Sequence, residues 1–273
     1  MKFSILGHAS LMLEDVNLRL ITDPWLVGSC YWRSWWNSPY IEYDLEAINP
    51  THIYLSHLHW DHYHLPSLRK LVTPDTVFII PKSISRRMRN DLREFKNDVI
   101  EAAHKKKLRI TKEIEIISYQ VNPFFLDSTL IIKSPYYTIL NLNDSKPLGL
   151  TARDIKKLSG EPTFMLRSYA SASPIPLCVI NNNNEFGLEN INKNKFKENY
   201  CQEYINQVKI FKPKYAIPFA SNHCYGRPDT TKFNDFATKM SFMEDYWERN
   251  KKVNSLEDTK LICMENGSFF SSI

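Results

Sequence analysis

Several kinds of segment are missing from this chain of 273 residues. No run approaches the roughly 18 to 20 apolar residues that a membrane span needs, and Lys2 leads into a strand-like pattern without the core of a signal peptide. No membrane span is therefore expected, and the expected location is the cytoplasm. No CxxC pair occurs: Cys30, Cys178, Cys201, Cys224 and Cys263 are scattered, which fits reduced thiols better than a disulfide framework or an iron–sulfur site. No Pro/Gly/Ser-rich linker, tandem repeat or break in composition divides the chain, so residues 1–273 are read as one domain, long enough to bury a substantial core. The polar tract Asn181 to Asn184 is read as a surface loop. No GxSxG turn and no obvious thiol–imidazole pairing is present, which argues against covalent catalysis.

Charge is also modest, at +5. Its densest stretches, Ser85 to Arg89 and Lys105 to Lys107, read as solvated faces that do not interleave with aromatic residues. Nucleic acid is thus not the expected partner; a small molecule is, and an anionic one is permitted by the balance. Nothing in the sequence sets an oligomeric state.

What the chain does have is histidine at ligand spacing. Thr51 to Pro66 holds five of the eight histidines, and its kernel His57-Leu58-His59-Trp60-Asp61-His62 is an HxHxDH array. A buried strand over His52 to Ser56 should end just before it. Residues two apart in an extended chain face the same way, so His57, His59 and Asp61 converge, and His62 joins them if the backbone turns. Pro66 favours such a turn into a helix through Val72. Imidazoles and a carboxylate at this density suit a borderline divalent cation: zinc, iron or manganese, as one ion or two.

These residues resemble the metallo-β-lactamase superfamily. The resemblance implies an α/β fold, a four-layer αββα sandwich of two mixed sheets, with His57 and His59 serving one metal and Asp61 and His62 a second. Gly7-His8-Ala9-Ser10 resembles the GHA(S/T) signature of the branch that includes ascorbate-6-phosphate lactonase and N-acyl-phosphatidylethanolamine phospholipase D. His8 is a candidate to approach the metal site from behind its ligands. Asp23-Pro24, after the third strand, offers a carboxylate that could fix a ligand imidazole. The stretch from Asp23 to Trp36, with four of the six tryptophans, is similar to the metallo-β-lactamase-like portion of CMP-N-acetylneuraminate hydroxylase. Trp32, Arg33, Trp35 and Trp36 are therefore substrate-binding candidates, as is Arg167, which could pair with a phosphate or carboxylate.

Strands are expected at 3–6, 10–13, 18–21, 76–80, 98–100, 114–117, 129–132, 137–140, 215–217 and 261–263, with helices at 83–95, 154–158, 195–210 and 231–249. The resemblance places a bridging aspartate at Asp144 and a last histidine at His223, both as metal ligands. It also calls for a third imidazole on the first metal between Ile114 and Thr129, where the chain has none. Asn122 or Asp127 could stand in its place, and His64 is a reserve ligand.

Two chemistries follow. One is hydrolysis, with Asp61 orienting a water and carrying a proton. The other is oxygen chemistry at one or two iron ions on a sugar, amino-acid or nucleotide-linked substrate, since two histidines with a carboxylate can hold iron. The second would need an electron-donor protein, because the C-x-H and C-x-x-H pattern of a Rieske centre is absent. A non-catalytic metal-binding protein is a third, weaker reading.

Overall fold

The structure is a computed structural model and describes residues 1–121, 127–171 and 192–271. The strands, in chain order, begin with β1 (Lys2–Ile5), β2 (Leu11–Asp15), β3 (Leu18–Thr22), β4 (Ser29–Cys30), β5 (Trp35–Asn37) and β6 (His52–Tyr54). They continue with β7 (Val77–Pro81), β8 (Val99–Ala102), β9 (Lys107–Arg109), β10 (Glu115–Gln120), β11 (Ser128–Lys133) and β12 (Thr138–Asn143). The last are β13 (Phe164–Arg167), β14 (Tyr215–Pro218), β15 (His223–Tyr225), β16 (Lys260–Leu261) and β17 (Phe269–Ser271). The helices are α1 (Leu45–Ile48), α2 (Leu65–Leu71), α3 (Arg87–Leu92), α4 (Gly149–Ser159), α5 (Lys193–Phe211) and α6 (Met240–Asn250).

Two sheets of seven strands form the body, in the orders β17-β1-β2-β3-β6-β7-β8 and β16-β14-β13-β12-β11-β10-β9. Alternation along the strands builds the layers. Leu130 and Ile132 point between the sheets, where they meet Phe3, Leu11, Leu13, Leu20 and Tyr54. Ile131, between them in sequence, joins Val208, Phe211 and Trp247 of the helices outside the second sheet. On the other side, Ile53, Phe78 and Ile80 pack against Leu68 and Leu71 of α2 and Met88 of α3. The order helix, sheet, sheet, helix is the αββα sandwich that the family resemblance implied.

The strands that carry the site run parallel. β3 pairs β6, and β12 pairs β13, which pairs β14, all parallel. Their C-terminal ends gather at one edge, the place where ligands bind in parallel sheets.

Three sequence expectations change. The helix foreseen over 231–249 is a 3₁₀ turn, Thr231–Phe236, then an extended break, then α6. Ala237 is extended (φ −67°, ψ 132°) and Thr238 is buried, so the chain dips inward between the two pieces. The helix foreseen over 83–95 starts only at Arg87, because Arg86 adopts a left-handed conformation (φ 51°). The aromatic stretch, for which no strand was foreseen, forms one: β4, β5 and β15 make a small third sheet, with His223 opposite Asn37 and Tyr225 opposite Trp35. The tract Asn181 to Asn184 lies outside the described residues. Among those described, no helix is long and apolar enough to cross a membrane.

Candidate metal centre

After β6 the chain runs extended through His57 and then folds into a turn, with the His62 and Tyr63 N–H groups donating to the His59 carbonyl at 3.0 and 2.7 Å. This brings the His57 and His62 rings to 4.1 Å between centroids. His57 Nε2 and His59 Nδ1 lie 2.8 Å apart. His62 Nε2 faces two carboxylates, Asp61 Oδ2 at 3.2 Å and Asp144 Oδ2 at 3.3 Å. Asp144 follows β12, and the left-handed Asn143 (φ 56°) turns the chain toward the site. Two groups of donor atoms result, one of His57, His59 and Asp144, the other of His8, Asp61 and His62.

Beneath these donors sits Asp23, fully buried. Its carboxylate accepts from the Ser56 N–H and hydroxyl, both at 2.7 Å, from His62 Nδ1 at 3.1 Å, and from the Asn143 side-chain amide. A neutral His62 that donates from Nδ1 has its lone pair on Nε2, facing two carboxylate oxygens. Three electron-rich atoms cannot rest against one another without a cation. Buried atoms without a hydrogen-bond partner make the same point: His62 Nε2, Asp144 Oδ1 and both ring nitrogens of His223. These residues fit a divalent cation.

In the protein alone a proton answers this demand. Burial opposes charge on His62, but Asp61 and Asp144 outweigh it and hold the imidazole well above its ordinary range. Burial would raise both carboxyls; His62 instead keeps Asp61 well below the usual range and Asp144 down to about 2. Burial pushes His57 and His223 down to about 3, so both are neutral imidazoles with a lone pair to offer.

Residues 2–123 match the beta-lactamase superfamily domain. An isothiocyanate hydrolase from Delia radicum gut bacteria superposes with a TM-score of 0.66 at 12% identity, over 100% of this chain and 99% of that one. This is a metallo-β-lactamase fold. A Mycolicibacterium smegmatis protein named as a Rieske 2Fe-2S iron-sulfur protein is 25% identical over 266 residues, which are 89% of this chain and 49% of that protein. The inactive cytidine monophosphate-N-acetylneuraminic acid hydroxylase of Homo sapiens is 36% identical over 72 residues, 26% of this chain and 14% of its own length. The chain spans about half the length, or less, of the curated relatives it matches.

Within this metallo-β-lactamase fold the foreseen residues fall into three sets. His57, His59, Asp61, His62 and Asp144 come together, and His223 joins them through β15. Its ring stacks on Trp35 at 3.9 Å and meets His8 edge-on at 5.0 Å. Trp35 is thus a buried wall behind a histidine rather than a residue free to touch a substrate. Asp23 accepts from His62 Nδ1 and so stands behind that imidazole.

Two residues take other places. His64 caps α2: its Nδ1 accepts from the Ser67 N–H at 3.3 Å and pairs with the Ser67 hydroxyl at 2.8 Å, so that nitrogen is committed to a helix terminus. Arg167 is 2% exposed, donates to the Ser168 carbonyl at 3.0 Å, and stands 3.9 Å from Glu203. It is a buried internal cation, not a hand open to an incoming anion.

Asp127 stands behind His57, with Oδ1 3.9 Å from Nδ1, the nitrogen turned away from His59. At that distance it makes no hydrogen bond, and the Ser56 hydroxyl, 2.9 Å from the same nitrogen, is what orients His57; burial, with Asp144 nearby, raises the Asp127 carboxyl to about 7. Asn122 lies outside the described residues. Trp32, Arg33 and Trp36 remain at the surface.

Sequence reading missed Tyr31 and Trp60. The Tyr31 hydroxyl donates to Asp61 Oδ1 at 2.5 Å, and Trp60 stacks on the Tyr31 ring at 5.9 Å and touches Trp32 at 4.8 Å. Burial and the Asp61 carboxylate both raise the Tyr31 phenol, which keeps its proton. The only signal was aromatic density, which names no partner across thirty residues.

Proposed function

We propose that the chain is a metal-dependent hydrolase acting on a small, anionic molecule, with one or two divalent ions, zinc ahead of iron or manganese. The observation that carries this reading is the convergence of four imidazoles, His57, His59, His62 and His223, with two ionised carboxylates, Asp61 and Asp144, among buried atoms that have no partner in the protein. His57, His59 and Asp144 would hold one ion, and Asp61, His62 and His223 a second, with Asp144 shared. A bound divalent cation makes water acidic enough to yield hydroxide near neutral pH and neutralises charge on a departing oxygen.

The chain's own residues supply the rest. Asp61 keeps Oδ2 directed at the shared space because Tyr31 holds Oδ1. From there it orients a water and carries a proton to the leaving group. Asp23 fixes the tautomer of His62 through Nδ1. Trp32 and Trp60 form an exposed aromatic rim suited to one flat face of a substrate.

The relatives favour a second reading, an iron oxygenase. The partial matches to a hydroxylase and to proteins named for Rieske centres support it, and an electron-donor protein would then be the partner. Elemental mass spectrometry of protein purified without added metal or chelator separates the two. Zinc, with hydrolysis of phosphodiester or lactone substrates that Asp144→Ala abolishes, supports the hydrolase. Iron, with an absorbance that changes on exposure to oxygen, supports the oxygenase. No metal above background rejects both.

A further inference from the structure

The two groups of donors are not equivalent. His59 is exposed and the Asp144 side chain is 20% exposed, so the group of His57, His59 and Asp144 opens to solvent. His8, Asp61 and His62 are each buried to 2% exposure or less.

His8 occupies a built position. The preceding Gly7 lies so close to the Trp25 carbonyl that a Cβ would meet that oxygen at 2.8 Å, which brings the turn down onto the site. The His8 N–H donates to Asn37 Oδ1 at 2.7 Å. Its ring is walled by Trp25 at 5.8 Å, Trp35 at 5.9 Å and His223 at 5.0 Å. Held in this way, His8 Nε2 lies 3.2 Å from Asp61 Oδ2, the same oxygen that stands 3.2 Å from His62 Nε2. Donors on a tetrahedral ion with bonds near 2.1 Å are about 3.4 Å apart. The observed spacings match a shared cation.

We propose that His8 is a metal ligand, and that His8, Asp61, His62 and His223 enclose an inner divalent-cation site, closed to solvent and tighter than the outer site of His57 and His59. Asp144 joins the two through its 3.3 Å approach to His62. The inner site gains an imidazole where the outer one lacks its third. An ion held inside is resident; one held outside exchanges and is reached by substrate. This inference rests on the metal-dependent reading above.

Equilibrium dialysis against zinc, with elemental mass spectrometry, tests it. The unaltered protein should bind two ions of unequal affinity. His8→Ala should lose the tighter and keep the weaker, and His57→Ala should do the reverse. A second measurement needs no variant: in protein labelled with ¹⁵N-histidine and given one equivalent of ¹¹³Cd, the metal resonance should couple to three imidazoles. Retention of both ions at unaltered affinity in His8→Ala, or coupling to only two imidazoles, would overturn the inference and leave the hydrolase reading standing. Failure of the unaltered protein to bind zinc at all would overturn both.

Discussion

The floor of the candidate centre and its mouth are built by opposite rules. On the floor, the Asp23 carboxylate receives four hydrogen bonds from Ser56, His62 and Asn143, all of them buried, and the Ser128 hydroxyl ties the Ser56 carbonyl to the second sheet at 2.8 Å. At the mouth, Tyr31, Trp32 and Arg33 take left-handed conformations in succession (φ 49°, 53° and 66°), and Trp32 is 73% exposed. Each such residue costs roughly 1 kcal/mol or more. Left-handed residues occur below the donors too, at Asp23 (φ 43°) and Asn143 (φ 56°), but there buried hydrogen bonds hold them, whereas Trp32 and Arg33 stand at the surface, so geometry and substrate choice can be altered separately.

Asp23→Ala should break this division most severely. It leaves four buried donors without their acceptor, and we expect a loss of about 3–5 kcal/mol in denaturant unfolding of the metal-free protein. A loss below about 1 kcal/mol would show that the floor does not hold the fold. Asn143→Ala should cost about 2 kcal/mol, since it forfeits bonds to Asp23 and the Ser56 hydroxyl at a left-handed residue. Asn143→Gly separates these terms, because glycine accepts the φ of 56° without the bonds. If glycine matches asparagine, the amide contributes nothing.

A third expectation concerns pH. His57 and His223 are depressed by burial to about 3, and His64 to about 4. At these three groups the unfolded chain binds more protons, and the stability they contribute above about 6.5 is lost as pH falls toward 3 to 4, at up to about 1.4 kcal/mol per pH unit for each histidine. His64→Gln should flatten the acid limb of a pH–stability curve of metal-free protein by that much; an unchanged slope would reject a neutral, buried cap. The smallest effect belongs to the mouth. Trp32→Ala should stay within about 0.5 kcal/mol of the parent. Under the hydrolase reading it should raise KM for the accepted substrate while leaving metal content unchanged.

The donors above the floor were legible in two ways: the HxHxDH array is a local signal, following a strand whose apolar run ends at the sheet edge, whereas Asp144, just after β12, was placed by the family resemblance. The mouth was less so. Its third sheet pairs β5 with β15 across most of the chain, and the Tyr31 contact to Asp61 depends on a left-handed turn that no residue preference announces. The break before α6 was hidden because Thr238 is buried by tertiary packing, while the surrounding residues suit a helix.

The edge of the first sheet has a consequence for synthesis. β17 pairs with β1, Lys2 opposite Ser271 and Ser4 opposite Phe269. A chain emerging from the ribosome makes β1 early, yet that strand keeps an open flank until residue 271 appears. Pairings so distant in sequence are slow to form. The nascent protein should therefore pass through an interval in which β1 keeps an unpaired flank, open to another strand.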